Sequence, residues 1–508
     1  MKKRFMMLWE EGYPLLTKKE QQIEAFLNDV DEQISYHPIH TAINEELRAH
    51  IDDKAEMYME FGLNEEISYE KAIRDMGDAA ALGTQLNETH KLRIAKPMLI
   101  LVIILAVLGM FRNIASDGIM GVFDSSYYMI GFCVLGIVFY RGYPFLLRYA
   151  NNILKTLLGF MIFWVCWQMV RRFFNISLDY YSISRLFSPS VLFGIFQLST
   201  PALAVFLYRR RRTPWRGIGI MFLYQAATIL VSKIVYAGEY SYIPFLIMVI
   251  STIFVTGYMI VKRYLNIGII KGFAALLAGT LLLLWVFGAS QWNDVSKNIQ
   301  MFVNPDKQAS VTNAWDDSYN NVLIREILSK AEPIGEIKLS KEDLVRYGTA
   351  QWYYEDGKGT WNHNTTSGRG LKHHISYRMQ YLDNPEIEDV MPQHHHNNYR
   401  IAFWILKYGW IPGLAMLSFI VATQLVILGT AWKIHNRLGR VVAVAGSMTL
   451  GVQNVFYILG NFGFQFGDFG NLPFVSEGLV SIVGTMIIAG LILSAYRYDT
   501  VIKEDINK

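Results

Sequence analysis

Charged residues are scarce in this chain of 508 residues: Asp, Glu, Lys and Arg make up 18% of it, against about 25% in a typical soluble domain. Hydrophobic residues make up 52% and aromatic residues 14%. The charges are missing from apolar runs of roughly 17–22 residues, the length that crosses a hydrocarbon core of ~30 Å. The composition therefore excludes an ordinary soluble domain and predicts an all-α polytopic membrane protein.

Cysteine is nearly absent as well. Cys133 and Cys166 both fall inside apolar runs, so we expect no disulfide framework in an outer loop. We expect no cleavable signal peptide, because residues 1–95 are polar and the first apolar run starts only near Pro97. We expect the first span to act as an uncleaved signal.

The apolar runs predict ten transmembrane helices. They lie near residues 97–112, 127–142, 153–170, 189–208, 217–236, 241–260, 271–289, 401–431, 440–461 and 477–496. The eighth is long enough to include an interfacial turn at Trp410–Gly413.

Lys and Arg are concentrated in alternate loops between these spans. The basic loops lie near residues 141–155, 209–216, 262–271 and 433–440. Positively charged loops favour the cytoplasmic side, so we expect both termini in the cytoplasm, with a tail at 499–508. Arg171, Arg172 and Arg185 lie on the opposite side and break the pattern locally.

Residues 1–95 are predicted to form a separate cytoplasmic domain of three short amphipathic helices. The first starts near Gln21, the second ends at Gly62, and the third starts near Ser68, a candidate N-cap. The string GLNEEISYEKAIRDMGDAAALGTQLNETHK resembles the permease prefix domain of bacterial membrane proteins. A solvated helical cap without a ligand and a docking or regulatory module are both compatible with this domain.

The segment 290–400 is predicted to lie outside the membrane, and a loop of this length has a fold or a function of its own. VLIREILSKAEPIGEIKLS predicts a helix followed by a strand, and GTAQWYYEDGKGTWNH predicts a hairpin turning at Asp356-Gly357. HHISYRMQYL alternates like another strand. We expect a small α/β subdomain over the bundle.

A polar cluster lies where this loop meets the next apolar run. The segment MPQHHHNNYRIAFWILKYGWIPG, residues 391–413, holds His394, His395, His396, Asn397 and Asn398 at a water–lipid boundary. Polar side chains there are candidates for substrate contact. At most two of three consecutive histidines in an extended segment can share one metal ion, and no CxxC or HExxH motif supports them. We favour a substrate-facing polar cluster; a metal site and a pH-sensitive role are the alternatives.

The region 97–496 resembles the SEDS family of bacterial cell-wall polymerases (shape, elongation, division and sporulation; the FtsW/RodA/SpoVE type). LPFVSEG, starting at Leu472, is similar to the family motif LPFISYGG, and residues 391–413 are similar to LPExHTDFIFAVIGEELGxIG. Weaker similarities are FQLSTPALAVFLY to FQPSELAKLALIL and NIQMFVNPD to RxxxFLxP; Gln453 and Asn454 fit the ninth span. The resemblance implies ten spans, a large outer loop between the seventh and eighth, cytoplasmic ends, and polymerisation of lipid II.

Four positions depart from the family pattern. Asn398 replaces the catalytic Asp, Asn298 an Arg, Thr200 a Glu, and Glu477 a Tyr. A carboxamide cannot act as the general base, whose contribution is typically ~10²–10⁴-fold. Either the base has moved, with Glu477 as a candidate, or the protein does not polymerise. Capping of the tenth span by its carboxylate is the alternative role for Glu477.

Further substrate-binding candidates follow from the resemblance and from charge. They are His396, Asn397, Lys233, Ser476, Pro473 and Gln453. Lys233 lies near the outer end of the fifth apolar run, where its ammonium is placed either to meet a lipid pyrophosphate or to reach the interface.

The sequence is compatible with three functions. They are a divergent glycosyltransferase acting on a lipid II-type precursor, a non-catalytic precursor binder or scaffold for a cell-wall synthase, and a transporter. No paired inverted repeat supports the transporter. The expected partners are a lipid-linked precursor and a penicillin-binding-protein-type transpeptidase in the bacterial plasma membrane, without nucleic acid. No cofactor is expected, and no motif supports a divalent cation.

Overall fold

The structure is a computed structural model that describes most of the chain. It covers residues 17–90, 92–173, 190–235, 243–304, 317–340, 395–465, 471–476 and 478–502, with short pieces at 352–355, 361–363, 377–379, 387 and 390–392. The chain divides into two compact units, Met1–Ile94 with Arg497–Lys508, and Ala95–Tyr496.

The first unit contains four helices in its described part. They are α1 (Lys18–Gln33), α2 (His40–Glu60), α3 (Glu65–Asp75) and α4 (Ala79–His90), with a 3-10 turn at His37–Ile39. Thr17 and Glu20 form a reciprocal capping box at the start of α1. The hydrogen bond from the Thr17 backbone N–H is the main reason why the pKa of the Glu20 carboxyl is lowered.

Two predictions for this unit are wrong. α4 is a fourth helix, although its apolar residues Ala79, Leu82 and Leu86 recur at helical spacing and pack against the core of this unit. Its Gly83 lies so close to α1 that a Cβ there would stand 2.6 Å from the Val30 carbonyl oxygen. The third helix begins at Glu65, because the side chain of Asn64 accepts the Ile67 N–H at 2.9 Å. Ser68 is buried inside that helix.

The helical faces predicted from the sequence form the core of the first unit. Ile23, Val30, Ile51 and Ala72 are almost fully buried. Val501, from the segment predicted as a separate tail, packs against this core. The C-terminal segment therefore belongs to the same unit.

The second unit is built from long apolar helices. They are α5 (Lys96–Phe173), α6 (Ser190–Arg209), α7 (Pro214–Val235), α8 (Ile243–Val261), α9 (Ile269–Val303), α10 (Asp317–Ser329), α11 (His395–Asn398), α12 (Arg400–Tyr408), α13 (Trp410–Trp432), α14 (Arg437–Asn461) and α15 (Leu479–Arg497). Among the described residues, six helices are long and apolar enough to cross a membrane.

α5 covers the first three predicted spans and folds back on itself. Its 78 residues would extend ~117 Å if straight. Yet the Ser125 hydroxyl lies 3.2 Å from the Met110 carbonyl oxygen, two positions that a straight helix would separate by about 22 Å. The first two passes of α5 are therefore antiparallel neighbours.

A second reversal in α5 lies near Pro144. Gly131 and Gly142 pack against Ile482 and Leu491, so this pass runs parallel to α15. After Pro144, Leu147 accepts a hydrogen bond from Arg209 at the end of α6, whereas Met161 and Val165 cluster with Ile195 and Phe196 near its start.

The pass after Pro144 is therefore antiparallel to α6. α6 itself runs parallel to α15, because Gly194 packs against Val480 and Gln197 against Gly484. Pro144 lacks an N–H, and the neighbouring Tyr143 N–H bonds to the Ser494 hydroxyl at 3.1 Å. With three passes in α5, the described second unit has ten helical passes, the number predicted.

The eighth predicted span is divided in two. Gly409, with φ of 96°, separates α12 from α13, so the chain breaks before the predicted turn at Trp410–Gly413. A positive φ of this kind favours glycine. A Cβ at Gly413 would collide with Ile405, which shows how tightly α12 folds against α13.

Three of the four elements predicted for the loop subdomain, the helix, the hairpin and the last strand, match the described residues. The helix is α10, and β1 (Trp352–Glu355) pairs antiparallel with both β2 (Trp361–His363) and β3 (Tyr377–Met379). The hairpin turn at Asp356-Gly357 lies outside the described residues.

The strand expected after α10 is not formed. Instead the N–H groups of Gly335 and Ile337 bond to the carbonyls of Tyr408 and Leu406 at 2.9 and 2.8 Å. The last carbonyls of a helix have no partner within the helix, and here the segment after α10 supplies one. We call the end of the bundle that carries this subdomain the loop end and the opposite end the basic end.

Candidate functional site

The polar segment predicted at the water–lipid boundary lies at the loop end, against the last turns of α14. The side-chain oxygen of Asn461 accepts the N–H groups of Ile401 and Ala402 at 2.9 and 3.1 Å. These are among the first N–H groups of α12, which have no partner inside the helix. The Asn461 amide also donates to the Asn398 carbonyl at 3.0 Å. One side chain of α14 thus fixes the junction between α11 and α12.

Tyr457 holds the same segment one turn earlier on α14. Its hydroxyl donates to the Asn397 carbonyl at 2.8 Å and accepts the backbone N–H of Arg400 at 3.3 Å. The side chain of Tyr457 is fully buried. Because residues four apart share a helix face, Tyr457 and Asn461 form one rigid support for residues 397–402.

A buried arginine joins this segment to the loop before α15. Arg400 is 1% exposed, and its Nη1 donates to the Val475 carbonyl at 2.9 Å. The hydroxyl of Tyr128 donates to the same carbonyl at 2.7 Å. Arg400 replaces an apolar residue of the similar family motif and therefore adds a buried positive charge, which is costly unless it is hydrogen-bonded.

The loop that carries Val475 has a strained backbone. Phe474 has φ of 66°, a region that large side chains rarely adopt. The Ser476 hydroxyl accepts the Leu472 N–H at 2.7 Å and closes the loop on itself. Strain of this kind persists where surrounding contacts fix the backbone, here two hydrogen bonds to the Val475 carbonyl.

An apolar cavity of about 420 Å³ lies beside Arg400, within the ~300–1,000 Å³ usual for small-molecule sites. Its walls come from the first pass of α5, from α12, from α13 and from the loop before α15. The lining residues are Leu105, Leu108, Arg400, Trp404, Pro412, Ala415, Met416, Phe419, Ile420 and Val475. Arg400 is the only charged residue among them.

The cavity opens on the outer face of the bundle and extends from the loop end towards the middle of the helices. Leu108 is 54% exposed and Ala415 is exposed, so the mouth lies on the outer face of the bundle. Phe419 follows Trp410 by nine residues along α13, which is about 14 Å of helix and close to half of a ~30 Å hydrocarbon core. The guanidinium and Val475 lie near the loop end, and the deeper walls are apolar.

The predicted site residues fall into three groups. Asn397 and Asn398 are half-buried, and among the described residues no side chain hydrogen-bonds to the Asn398 carboxamide. Pro473 and Ser476 are buried in the loop before α15. Gln453 is 0% exposed.

The side-chain oxygen of Gln453 accepts a hydrogen bond from the Gln197 amide, and its amide nitrogen donates to the Asn471 carbonyl, each at 2.6 Å. The structure thus gives it a packing role between α6 and the loop before α15. Its contact with substrate stays a prediction.

The structure does not describe the side chains of the remaining predicted residues. His396 lies in α11 and Lys233 in the last turn of α7, but their side chains, like all of His394 and Glu477, lie outside the described residues. The described residues contain no cluster of three or more His, Cys, Asp or Glu able to hold a metal.

Sequence reasoning missed Arg400, Tyr457 and Asn461. The signal for Arg400 was available: one charge at the start of an apolar run in YRIAFWIL. The roles of Tyr457 and Asn461 depend on contacts across about 60 residues of sequence, which no local pattern contains.

Comparison with known proteins identifies the fold. No protein-family model matches the chain, and no curated protein matches it by sequence. A solved structure described as "Structural coordination of polymerization and crosslinking by a peptidoglycan synthase complex" matches with TM-score 0.51 and 12% identity, over 80% of this chain and 98% of the other.

A mutant of the Thermus thermophilus rod shape determining protein RodA also matches, with TM-score 0.44 and 11% identity, over 79% of this chain and 97% of the other. The first of these two structures confirms the fold that LPFVSEG and residues 391–413 imply by resemblance to the SEDS family. The chain is a polytopic helical membrane protein with this fold.

Proposed function

We propose that this protein acts in bacterial cell-wall synthesis, where it holds a lipid II-type precursor at the outer face of the membrane and polymerises it weakly or not at all. The observation that carries the proposal is the guanidinium of Arg400 in the wall of the apolar cavity beside Asn397 and Asn398. The SEDS fold supplies the context, and the cavity supplies the chemistry.

The cavity fits an amphiphile with an anionic head. An arginine keeps its charge at physiological pH, and its planar set of N–H donors matches phosphate oxygens. Leu105, Met416 and Phe419 offer an apolar path below it. A long polyprenyl chain enters this path and continues through the mouth at Leu108 into the bilayer, while the pyrophosphate lies at Arg400.

The polar segment lies where the sugar head of such a lipid extends. Asn398 is two residues from Arg400, and its half-buried carboxamide has the shape of the aspartate that it replaces. A carboxamide donates and accepts hydrogen bonds but does not remove a proton at neutral pH. We therefore infer retained binding with little turnover.

The proposed partner is a penicillin-binding-protein-type transpeptidase. The support is that a solved structure with the same fold belongs to a peptidoglycan synthase complex. A scaffold function without precursor is the alternative, and the cavity with Arg400 disfavours it because a scaffold needs no lipid site.

The proposal requires the loop end to face outwards and both termini to face the cytoplasm. We expect a cysteine at Lys338, whose side chain is 89% exposed, to react with an impermeant maleimide on intact cells. A cysteine at Glu65, 64% exposed in the first unit, is expected to react only after lysis. Both variants are made with Cys133 and Cys166 replaced by serine. Labelling of Glu65→Cys but not Lys338→Cys on intact cells contradicts the orientation.

The binding proposal is tested by native mass spectrometry of detergent-purified protein with added lipid II. Arg400→Gln is expected to weaken retention by about 10–100-fold, since a charge-assisted hydrogen bond contributes about 1.5–3 kcal/mol. Arg400→Lys, which keeps the charge, is expected to lose less.

The matched control is Arg325→Gln. Arg325 also bonds a backbone carbonyl at the loop end, that of Gly463 at 2.8 Å, but it does not line the cavity. Thermal unfolding of each variant confirms that the bundle is intact. Equal retention by wild type, Arg400→Gln and Arg325→Gln contradicts the proposed site.

A further inference from the structure

A second cavity lies at the basic end of the bundle, far from the site described above. Its volume is about 920 Å³, and its walls are the loop between α6 and α7 and the loop between α8 and α9. Four of its lining residues are cations: Arg211 and Arg212 from the first loop, Arg263 from the second, and Lys271 from the first turn of α9. This basic pocket, defined by these four residues, plays no part in the proposed function.

The charged residues that line the basic pocket are all positive. Among the described residues no carboxylate lines it, and residues 209–235 and 243–293 contain neither Asp nor Glu. Like charges gathered in one concavity raise a positive potential there. Solvated loop charges near a membrane surface are common, but they do not by themselves form a cavity of this size.

The two loops are fixed to each other. The Asn266 N–H donates to the Arg211 carbonyl at 2.9 Å. The Arg211 guanidinium stacks over the Tyr208 ring at 4.7 Å, and Tyr208 packs edge-on against Tyr264 at 6.2 Å. The basic pocket is therefore preformed.

Arg263 occupies a conformation that favours glycine. Its φ is 55°, in the left-handed region where a side chain is strained. Strained residues are retained where they have a function. Here the strained residue contributes one of the four cations.

The start of α9 adds polar character to the same cavity. Gly268 is its N-cap and provides no side-chain hydrogen bond to the first turn, and residues 268–271 line the pocket. The N–H groups at a helix start favour anions. These N–H groups add to the positive potential of the four cations.

Exposed isoleucines at the rim point to a lipid as the occupant. Ile269 and Ile270 line the pocket with 41% and 86% exposure, and they open the apolar helix α9. A soluble anion gains nothing from them, whereas a lipid covers them with its chains. Two cations come from the loop between α6 and α7, and two from the loop between α8 and α9 together with the first turn of α9, so each wall of the pocket offers two positive charges.

We propose that the basic pocket binds a membrane lipid with two phosphate groups, of the cardiolipin type, in the leaflet at the basic end. Basic pockets between transmembrane helices are suited to such head groups. The phosphates pair with Arg211/Arg212 and with Arg263/Lys271, and the acyl chains cover Ile269 and Ile270.

The test is native mass spectrometry of the detergent-purified full chain titrated with cardiolipin or with phosphatidylglycerol, which has one phosphate. Wild type is expected to prefer cardiolipin. Arg212→Gln combined with Lys271→Gln is expected to weaken cardiolipin binding roughly 30-fold, the effect of two lost cations near a membrane surface. The control is Arg141→Gln combined with Arg148→Gln, which removes two exposed cations near the turn at Pro144, at the same end and outside the pocket.

Arg263→Gly separates lipid binding from folding. Glycine adopts a positive φ without strain, so thermal stability without lipid is expected to stay equal or rise while cardiolipin binding falls. Equal losses in the pocket variant and the control, or unchanged binding by the pocket variant, overturn the proposal. Displacement of cardiolipin by an equal concentration of inorganic pyrophosphate overturns the lipid assignment.

Discussion

Replacing Asn398 by aspartate is expected to raise glycan polymerisation from lipid II by about 10²–10⁴-fold, the usual contribution of a general base. The wild type is expected to give little product. The backbone at Asn398 is fixed, because the Asn461 amide donates to its carbonyl and the Asn461 side-chain oxygen holds the start of α12. The substitution changes the carboxamide to a carboxylate of nearly the same shape, so the effect is on proton transfer rather than on packing.

The measurement is product formation by purified wild type, Asn398→Asp, Asn397→Asp and Glu477→Gln. Asn397→Asp is the matched control, since it adds the same charge one residue away on the same half-buried segment. Robust wild-type product that disappears in Glu477→Gln moves the base to Glu477. Robust product that survives in all variants means that the site lies elsewhere.

Filling the cavity is expected to remove lipid binding while the fold is kept. Ala415 lines the cavity at its exposed mouth, so Ala415→Trp places an indole where the lipid chain enters. Displacement of ~100 Å² of chain surface costs about 2–3 kcal/mol at ~25 cal/mol per Å². Retention of lipid II is therefore expected to fall roughly 30–150-fold.

Ala422→Trp is the control for this variant. Ala422 is an exposed residue of the same helix, two turns further along, and does not line the cavity. Retention of lipid II is measured by native mass spectrometry for both variants. A similar loss in both variants, or none in Ala415→Trp, rules out the cavity as the lipid site.

The transmembrane architecture could be predicted because it depends on local composition. Apolar runs long enough to cross a membrane define helices whatever their neighbours are. The break at Gly409 was placed a few residues late because its cause is tertiary: a Cβ there would lie 2.6 Å from Ile334 of the segment after α10. The strand expected in that segment was lost to the same contact, since Gly335 and Ile337 bond to the end of α12.

The candidate site was predictable only in outline. A change from polar to apolar sequence placed Asn397 and Asn398 at a membrane boundary, and α11 lies there. The partners that hold this segment, Tyr457 and Asn461, lie on an apolar helix and show no local pattern. The fold alone brings the Val475 carbonyl to Arg400, because a backbone carbonyl leaves no trace in the sequence.

We propose that the chain of a lipid-linked precursor occupies the cavity beside Arg400. The most direct measurement is photo-crosslinking with a lipid II analogue that carries a diazirine on its polyprenyl chain, followed by peptide mass spectrometry. We predict adducts on Leu105, Leu108, Trp404 and Phe419, which line the cavity, and loss of these adducts in Ala415→Trp but not in Ala422→Trp. Adducts confined to other faces of the bundle, with these four residues unlabelled, contradict the account.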